Sequence, residues 1–362
     1  MNWPVAREIN PANLPDLARG CAVLGTGGGG AVDTGVLAAS DALSRCGRVP
    51  VIPLEALAPD ELVMPLSGIG APTVSHEMLG SSHEAILLAA QVEKVMGRPI
   101  SAVMSSEIGG SNGVHPVAWA AQLGVPLIDA DGMGRAFPEV QMVSMYVAGL
   151  EPNLIALSDV VGNVSVVRPV NGLWAERIAR AISVAAGAHA LMADYVLTAA
   201  QAKGAVIEGT VSQAIAIGRA TVGAADPVAA LVDVLDAKRL IAGKIVDIER
   251  RTGGGFVRGS VVIDGTGEDS GRTLRIEIQN ENLVALEEGR VLASVPDLIS
   301  LVDSVSAIAI STESLRYGQR VSALSWPCDQ LWRTPRGIEV AGPRAFGYDL
   351  DYVPVEQIGA PA

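Results

Sequence analysis

The chain has 362 residues, of which 49% are hydrophobic and 4% aromatic, with 40 glycines and a net charge of −13. The length allows one large or two ordinary domains, and an aromatic-poor, glycine-rich composition suits α/β packing with close backbone approaches. An acidic chain without a Lys/Arg cluster excludes nucleic acid and anionic membrane as expected partners.

Residues 11–20 read as a helix capped by Asn10 with Pro11 at its first position, and Cys21–Leu24 as a short apolar run. The glycine run Gly25–Gly30, interrupted by Thr26, follows. Asp33 opens an Ala/Leu-rich helix to about Arg45, ended by Gly47. Val49–Ile52 and Glu61–Leu66 are strands, the second running into a loop at Ser67–Gly70. Ser81 with Glu84 forms a capping box for a helix whose apolar face holds Leu88, Val92, Val95 and Met96. Ile100–Met104 is the next strand, then come the loop Glu107–Asn112, a helical run Pro116–Leu123 and the strand Val125–Ile128, which delivers Asp129 and Asp131 into a glycine turn with Arg135.

Apolar strands joined by helices predict a parallel sheet covered on both faces, with the loops at 67–70, 107–112 and 129–135 gathered at one edge, where open α/β sheets bind ligands. Leu154–Leu157 and Val164–Val167 are short strands, and helices are expected at Leu173–Ala186, from Thr210 to Ala220 and from Pro227 to Leu235. From Lys238 onward β-like segments dominate (Ile241–Ile248, Phe256–Ile263, Thr273–Ile278, Leu283–Leu286, Val305–Ile310). The expected architecture is α/β: an N-terminal, mostly parallel sheet with flanking helices over 1–165, a helical continuation over 166–238, and a smaller β-rich domain over 239–362. The N-terminal MNWPVAREIN lacks a signal-peptide core and no apolar run reaches spanning length, so a cytoplasmic protein is expected.

The candidate chemistry lies in the N-terminal half. Thr26, Gly27, Gly28, Gly29 and Gly30 offer backbone N–H groups ahead of a helix, fit for an anion or a carbonyl oxygen; tight helix–strand packing is the alternative. No Lys-Ser/Thr follows, which excludes a P-loop, and no acid ends the second strand, which leaves a poor dinucleotide fingerprint. Asp129 and Asp131, with Glu107 and Glu139, put several carboxylates at one loop cluster, where mutual repulsion raises a pKa towards general acid–base work. The alternative has Asp129 capping the turn and Glu139 pairing with Arg135. A divalent metal on these acids is left open; no cofactor is expected. Asn112, His115 and Arg135 are candidate substrate contacts, with a structural His115 as the alternative. His76 and His83 lack a third ligand, and His189 reads as a surface residue. Cys21, ahead of the glycines, reads as a buried filler more readily than as a nucleophile. Cys21, Cys46 and Cys328 have no CxxC spacing and give neither a zinc site nor a disulfide framework.

On three segments, GCAVLGTGGGG (Gly20–Gly30), EIGGSN (Glu107–Asn112) and DADGMGRAFPEVQM (Asp129–Met142), the chain resembles the S-methyl thiohydantoin desulfurase-like family, which is associated with hydantoinase/oxoprolinase-type proteins. The resemblance implies an N-terminal α/β domain and a smaller β-rich C-terminal domain. It also implies a hydrolase in which water replaces the S-methyl group of a hydantoin-like ring and methanethiol leaves. The expected roles are Asp131, with Asp129 or Glu107, as the water-activating acids, the Gly27–Gly30 amides as an oxyanion hole, and Asn112 and Arg135 as ring or carboxylate contacts. A non-catalytic accessory subunit of a hydantoinase-type system is the alternative, and a homo-oligomer or such a partner is left open.

Overall fold

A computed structural model describes residues 3–70, 80, 81, 83–253 and 256–358; His76 lies outside them. The first layer contains β1 (Glu8–Ile9), α1 (Leu14–Leu24), α2 (Val32–Cys46), β2 (Val49–Ile52), β3 (Leu62–Gly70), α3 (Glu84–Met96), β4 (Ile100–Ser105), α4 (Ser111–Leu123) and β5 (Leu127–Asp131). It continues with α5 (Ser144–Val147), β6 (Ile155–Ser158), β7 (Val164–Val167), α6 (Gly172–Ala185), β8 (His189–Asp194), β9 (Leu197–Thr198), α7 (Ala199–Ala202), β10 (Ile207–Glu208), α8 (Thr210–Thr221) and α9 (Pro227–Leu235). Its sheet runs β1-β2-β5-β4-β3-β8-β6-β7. The four strands β2, β5, β4 and β3 are mutually parallel, and the remaining strands add antiparallel.

The second layer is a seven-stranded antiparallel sheet in the order β15-β14-β13-β12-β11-β17-β16. Its strands are β11 (Lys238–Gly253), β12 (Phe256–Gly265), β13 (Thr273–Gln279), β14 (Glu281–Glu287), β15 (Arg290–Ser294), β16 (Leu298–Asp303) and β17 (Arg320–Trp326), with a short α10 (Pro335–Ala341) after them. The sheet curls until β14 and β15 touch β16, and aliphatic side chains such as Ile241, Ile263, Ile276, Leu301 and Val321 fill it.

Several elements depart from the sequence expectation for physical reasons. Helix α1 begins at Leu14 because the Asn10 side chain accepts from the N–H groups of Ala12 and Asn13, turning the chain ahead of a helix that carries Pro15 in its first turn. Helix α4 begins five residues ahead of Pro116. A proline there removes the N–H that would reach the Asn112 carbonyl, and the Ser105 hydroxyl faces that carbonyl instead, at 3.0 Å, sharing its one proton with the Glu107 carbonyl. Ser67–Gly70 is strand rather than loop, because β8 pairs alongside it from Leu66–Ala193 to Gly70–His189. The β8 segment, HALMAD, is alanine-rich and carries no strong strand signal. Residues 305–310 form a loop with one bridge, Val302–Ala309, not a strand.

The two layers meet across the glycine run. The N–H of Asn282 donates to the Thr26 carbonyl (2.8 Å) and that of Thr312 to the Gly27 carbonyl (2.9 Å). Arg135 Nη1 reaches the carbonyls of Pro296 and Asp297, and Trp332 Nε1 that of Met133. None of the described helices is long and apolar enough to cross a membrane.

Candidate active site

Glu107 follows β4 and is held from both sides. Its N–H donates to Ser105 Oγ at 3.1 Å, and that hydroxyl donates to the Glu107 carbonyl at 2.6 Å. Asn112 fixes its carboxyl: Nδ2 donates to Glu107 Oε1 at 3.0 Å, while Asn112 Oδ1 accepts from the Gly68 N–H at 2.8 Å. Burial pushes Glu107 up to about 8, against the hydrogen bonds from Asn112 and the Phe137 N–H. Glu281 opens β14 in the other layer, directly after Asn280, which turns the hairpin at a φ of 58°. It is 2% exposed. Burial, and then the charge of Glu107, hold its carboxyl well above the usual carboxylate range.

The glycine run fits between these two acids. A β-carbon on Gly28 would lie 2.0 Å from Glu281 Oε1, and one on Gly29 2.2 Å from the Gly109 carbonyl oxygen and 2.8 Å from Glu107 Oε1. Gly29 and Gly30 also hold positive φ angles of 72° and 80°. Only glycine satisfies both demands at Gly29. The carbonyls of Gly29 and Gly30 accept from the N–H groups of Asn112 and Ser111, and among the described residues their own N–H groups donate to no protein acceptor.

Gly29, Gly30, Glu107 and Glu281 line a cavity of about 320 Å³ shared by both layers, a size suited to a small ring. Ser106, Ser111, Asn112, His115, Trp119 and Asp194 are also in its wall. His115 Nδ1 sits 2.9 Å from Ser111 Oγ and 3.1 Å from the Ser111 carbonyl, and its ring stacks on Trp119. Burial lowers His115 to about 4, so the imidazole is neutral. Ser106 Oγ donates to Asp194 (2.8 Å), which burial raises to about 6. Among the described residues no group of three or more His, Cys, Asp or Glu converges as a metal site would.

Two family descriptions match consecutive parts of the chain: the S-Me-THD-like N-terminal domain over residues 12–169 and the S-Me-THD-like C-terminal domain over residues 170–355. The chain belongs to the S-Me-THD-like family. It is also similar to the crystal structure of a structural-genomics target protein from Chromobacterium violaceum, at 25% identity and a TM-score of 0.77 over 97% of this chain and all of that one. None of the curated proteins matches.

In this S-Me-THD-like chain the predicted residues divide. Glu107, Gly29, Gly30, Asn112, His115 and Glu139 share the cavity. Gly27 and Gly28 face a second space of about 470 Å³ between α1, α2 and α8. Thr26 is buried, its hydroxyl accepting from Arg135 Nη2. Asp131 is not in the wall of the S-Me-THD-like cavity: its carboxylate accepts from the N–H groups of Ile108, Met133 and Gly134 at 2.8–2.9 Å. Asp129 points at α8, where the Ser212 N–H and hydroxyl bind it. Arg135 spends Nε, Nη1 and Nη2 on the carbonyls of Ala136, Pro296 and Asp297 and on Thr26, and is fully buried. Glu139 accepts from Gln141 Nε2 rather than pairing with Arg135. Cys21 is buried against Gly113, and burial pushes its thiol up.

Sequence reasoning did not single out Glu281 or Asp194 and put His189 on the surface. His189 is half-buried in the cavity wall, not on the surface, because β8 inserts beside β3. The one sequence signal for Glu281 is an acid placed in QNEN between two apolar strands.

Proposed function

We propose that the chain is a hydrolase acting on a small cyclic amide or isothiourea, an S-methyl thiohydantoin or hydantoin-like ring, with Glu107 and Glu281 as its acid–base pair. The observation that carries this reading is the placement of two buried carboxyls, both raised in pKa, on either side of a loop that exposes unused amide donors. Water replaces the ring substituent: the carboxyl that holds a proton gives it to the ring nitrogen, and the ionised one takes a proton from the water. The oxygen adds to the ring carbon, methanethiol departs with a proton, and the carbon is left as a carbonyl. The Gly29 and Gly30 N–H groups lie where charge on the ring can be met, and one preorganised donor of this kind is worth about 3 kcal/mol.

Asn112 and Arg135 act at one remove. Asn112 orients Glu107, and the Arg135 charge lowers the cost of ionising either acid. Asp131 holds the backbone beside Glu107 through the Ile108 N–H, and Asp129 ties the end of β5 to α8. Incubation with S-methyl thiohydantoins, with and without divalent metals, tests the reading: thiol release with formation of the hydantoin is expected. Binding without turnover, together with a co-purifying partner, favours the accessory-subunit alternative.

A further inference from the structure

The charge inventory of the cavity is one-sided. Glu84, Glu107, Glu139, Asp194 and Glu281 line it, contributed by five separate parts of the chain. Among the described lining residues Arg180 is the one Lys or Arg, and it is already engaged. Its Nε donates to Glu176 at 2.6 Å, its Nη2 to the Pro138 carbonyl at 3.1 Å, and its guanidinium lies 4.8 Å from the centre of the Phe256 ring. The two lining histidines add no positive charge, since burial lowers both. Arg135, the residue expected to meet a carboxylate tail, is spent on carbonyls outside the wall.

A second observation points to a ligand of definite polarity. Glu281 Oε2 has no hydrogen-bond partner among the described residues, although the residue is 98% buried in the cavity wall, being 2% exposed. A buried carboxyl oxygen left without a donor is costly, and an N–H of a bound ring removes that cost. Beyond the ring, a carboxylate entering this space loses its water and finds no free Lys or Arg among the described lining residues, whereas an ammonium draws these proton-holding acids into their ionised form and pairs with them.

Resting on the hydrolase reading of the same cavity, we infer that the site sorts substrates by charge: it accepts cyclic isothioureas or amides whose side chain is cationic or uncharged and rejects those bearing a carboxylate. Glu84, at the start of α3, and Asp194, at the end of β8, set this preference without belonging to the acid–base pair.

Titration calorimetry with three S-methyl thiohydantoins that share one ring and differ in the C5 tail (4-aminobutyl, isobutyl and 2-carboxyethyl) tests it. The aminobutyl compound is expected to bind at least tenfold more tightly than the carboxyethyl one, with isobutyl between them. Glu84→Gln and Asp194→Asn are each expected to narrow that gap. Equal or tighter binding of the carboxyethyl compound overturns the inference, as does absence of binding by all three. Because heat of binding is read without turnover, charge-sorted binding without thiol release upholds this inference and removes the hydrolase reading. Thiol release from all three with equal affinities does the reverse.

Discussion

Glu281, from the β-rich layer, presses its carboxyl against the backbone of Gly28 in the α/β layer, so closely that a β-carbon there would stand 2.0 Å from Oε1. The glycine run is therefore the surface on which the two layers bring their acids together, as well as a loop before a helix. Gly28→Ala is expected to push Glu281 out of place and to lower turnover by at least tenfold. Gly29→Ala is worse, since it adds a positive-φ strain to the clash with the Gly109 carbonyl. Initial rates alongside circular dichroism of the two variants separate lost chemistry from lost fold.

Glu107 couples function to stability. Its folded-state pKa of about 8 lies above the usual carboxylate value, so the folded state holds a proton that the unfolded chain releases. Stability from this group is then lost as pH rises from roughly 4.3, the ordinary Glu value, through the folded pKa. Glu107→Gln keeps a neutral side chain at every pH, and its melting temperature is expected to exceed that of the parent at pH 9 by several degrees, with little difference at pH 4. A melting temperature at pH 9 no higher than the parent's counts against a buried, proton-holding Glu107.

The same group sets a pH–rate profile. The base form of Glu107 appears only as pH passes about 8, so kcat/KM is expected to rise through that region and not at the usual carboxylate range. A rising limb centred near pH 4–5 would place the reaction on other, unperturbed acids.

Substitution at Asp131 tests whether this acid shapes a turn or takes part in the proposed chemistry. Oδ2 accepts the N–H groups of Ile108, Met133 and Gly134. Asp131→Asn can keep its oxygen in these bonds and is expected to retain activity within about threefold. Asp131→Ala leaves three buried donors unpaired and is expected to cost about 2–4 kcal/mol of stability. Denaturant unfolding and initial rates on both variants decide between a turn-forming role and a base.

Much of the α/β layer was legible because its central parallel strands are continuous apolar runs with helical periods between them. The place of Glu107, Gly29 and Gly30 in the cavity wall was legible because a parallel strand's C-terminal end and a helix N-terminus meet there. Asp129 and Asp131 stand outside the cavity wall although a strand that ends in acids looks like a catalytic edge; the Gly132–Gly134 turn that follows was the sign that backbone N–H groups would take Asp131. Glu281 was illegible for the opposite reason. QNEN between two strands reads as a solvated hairpin, and only the docking of one layer on the other buries it, a contact more than 250 residues distant from Gly28 that no local pattern encodes. The β8 strand and its His189 were hidden by alanines that favour helix over strand.

The most direct measurement is thiol release from an S-methyl thiohydantoin by the parent, Glu107→Gln and Glu281→Gln, each checked for folding. The account predicts release by the parent and a loss of about a hundredfold or more in both variants, in line with removal of a general acid or base. Full activity in either variant, or no release by the parent, contradicts it.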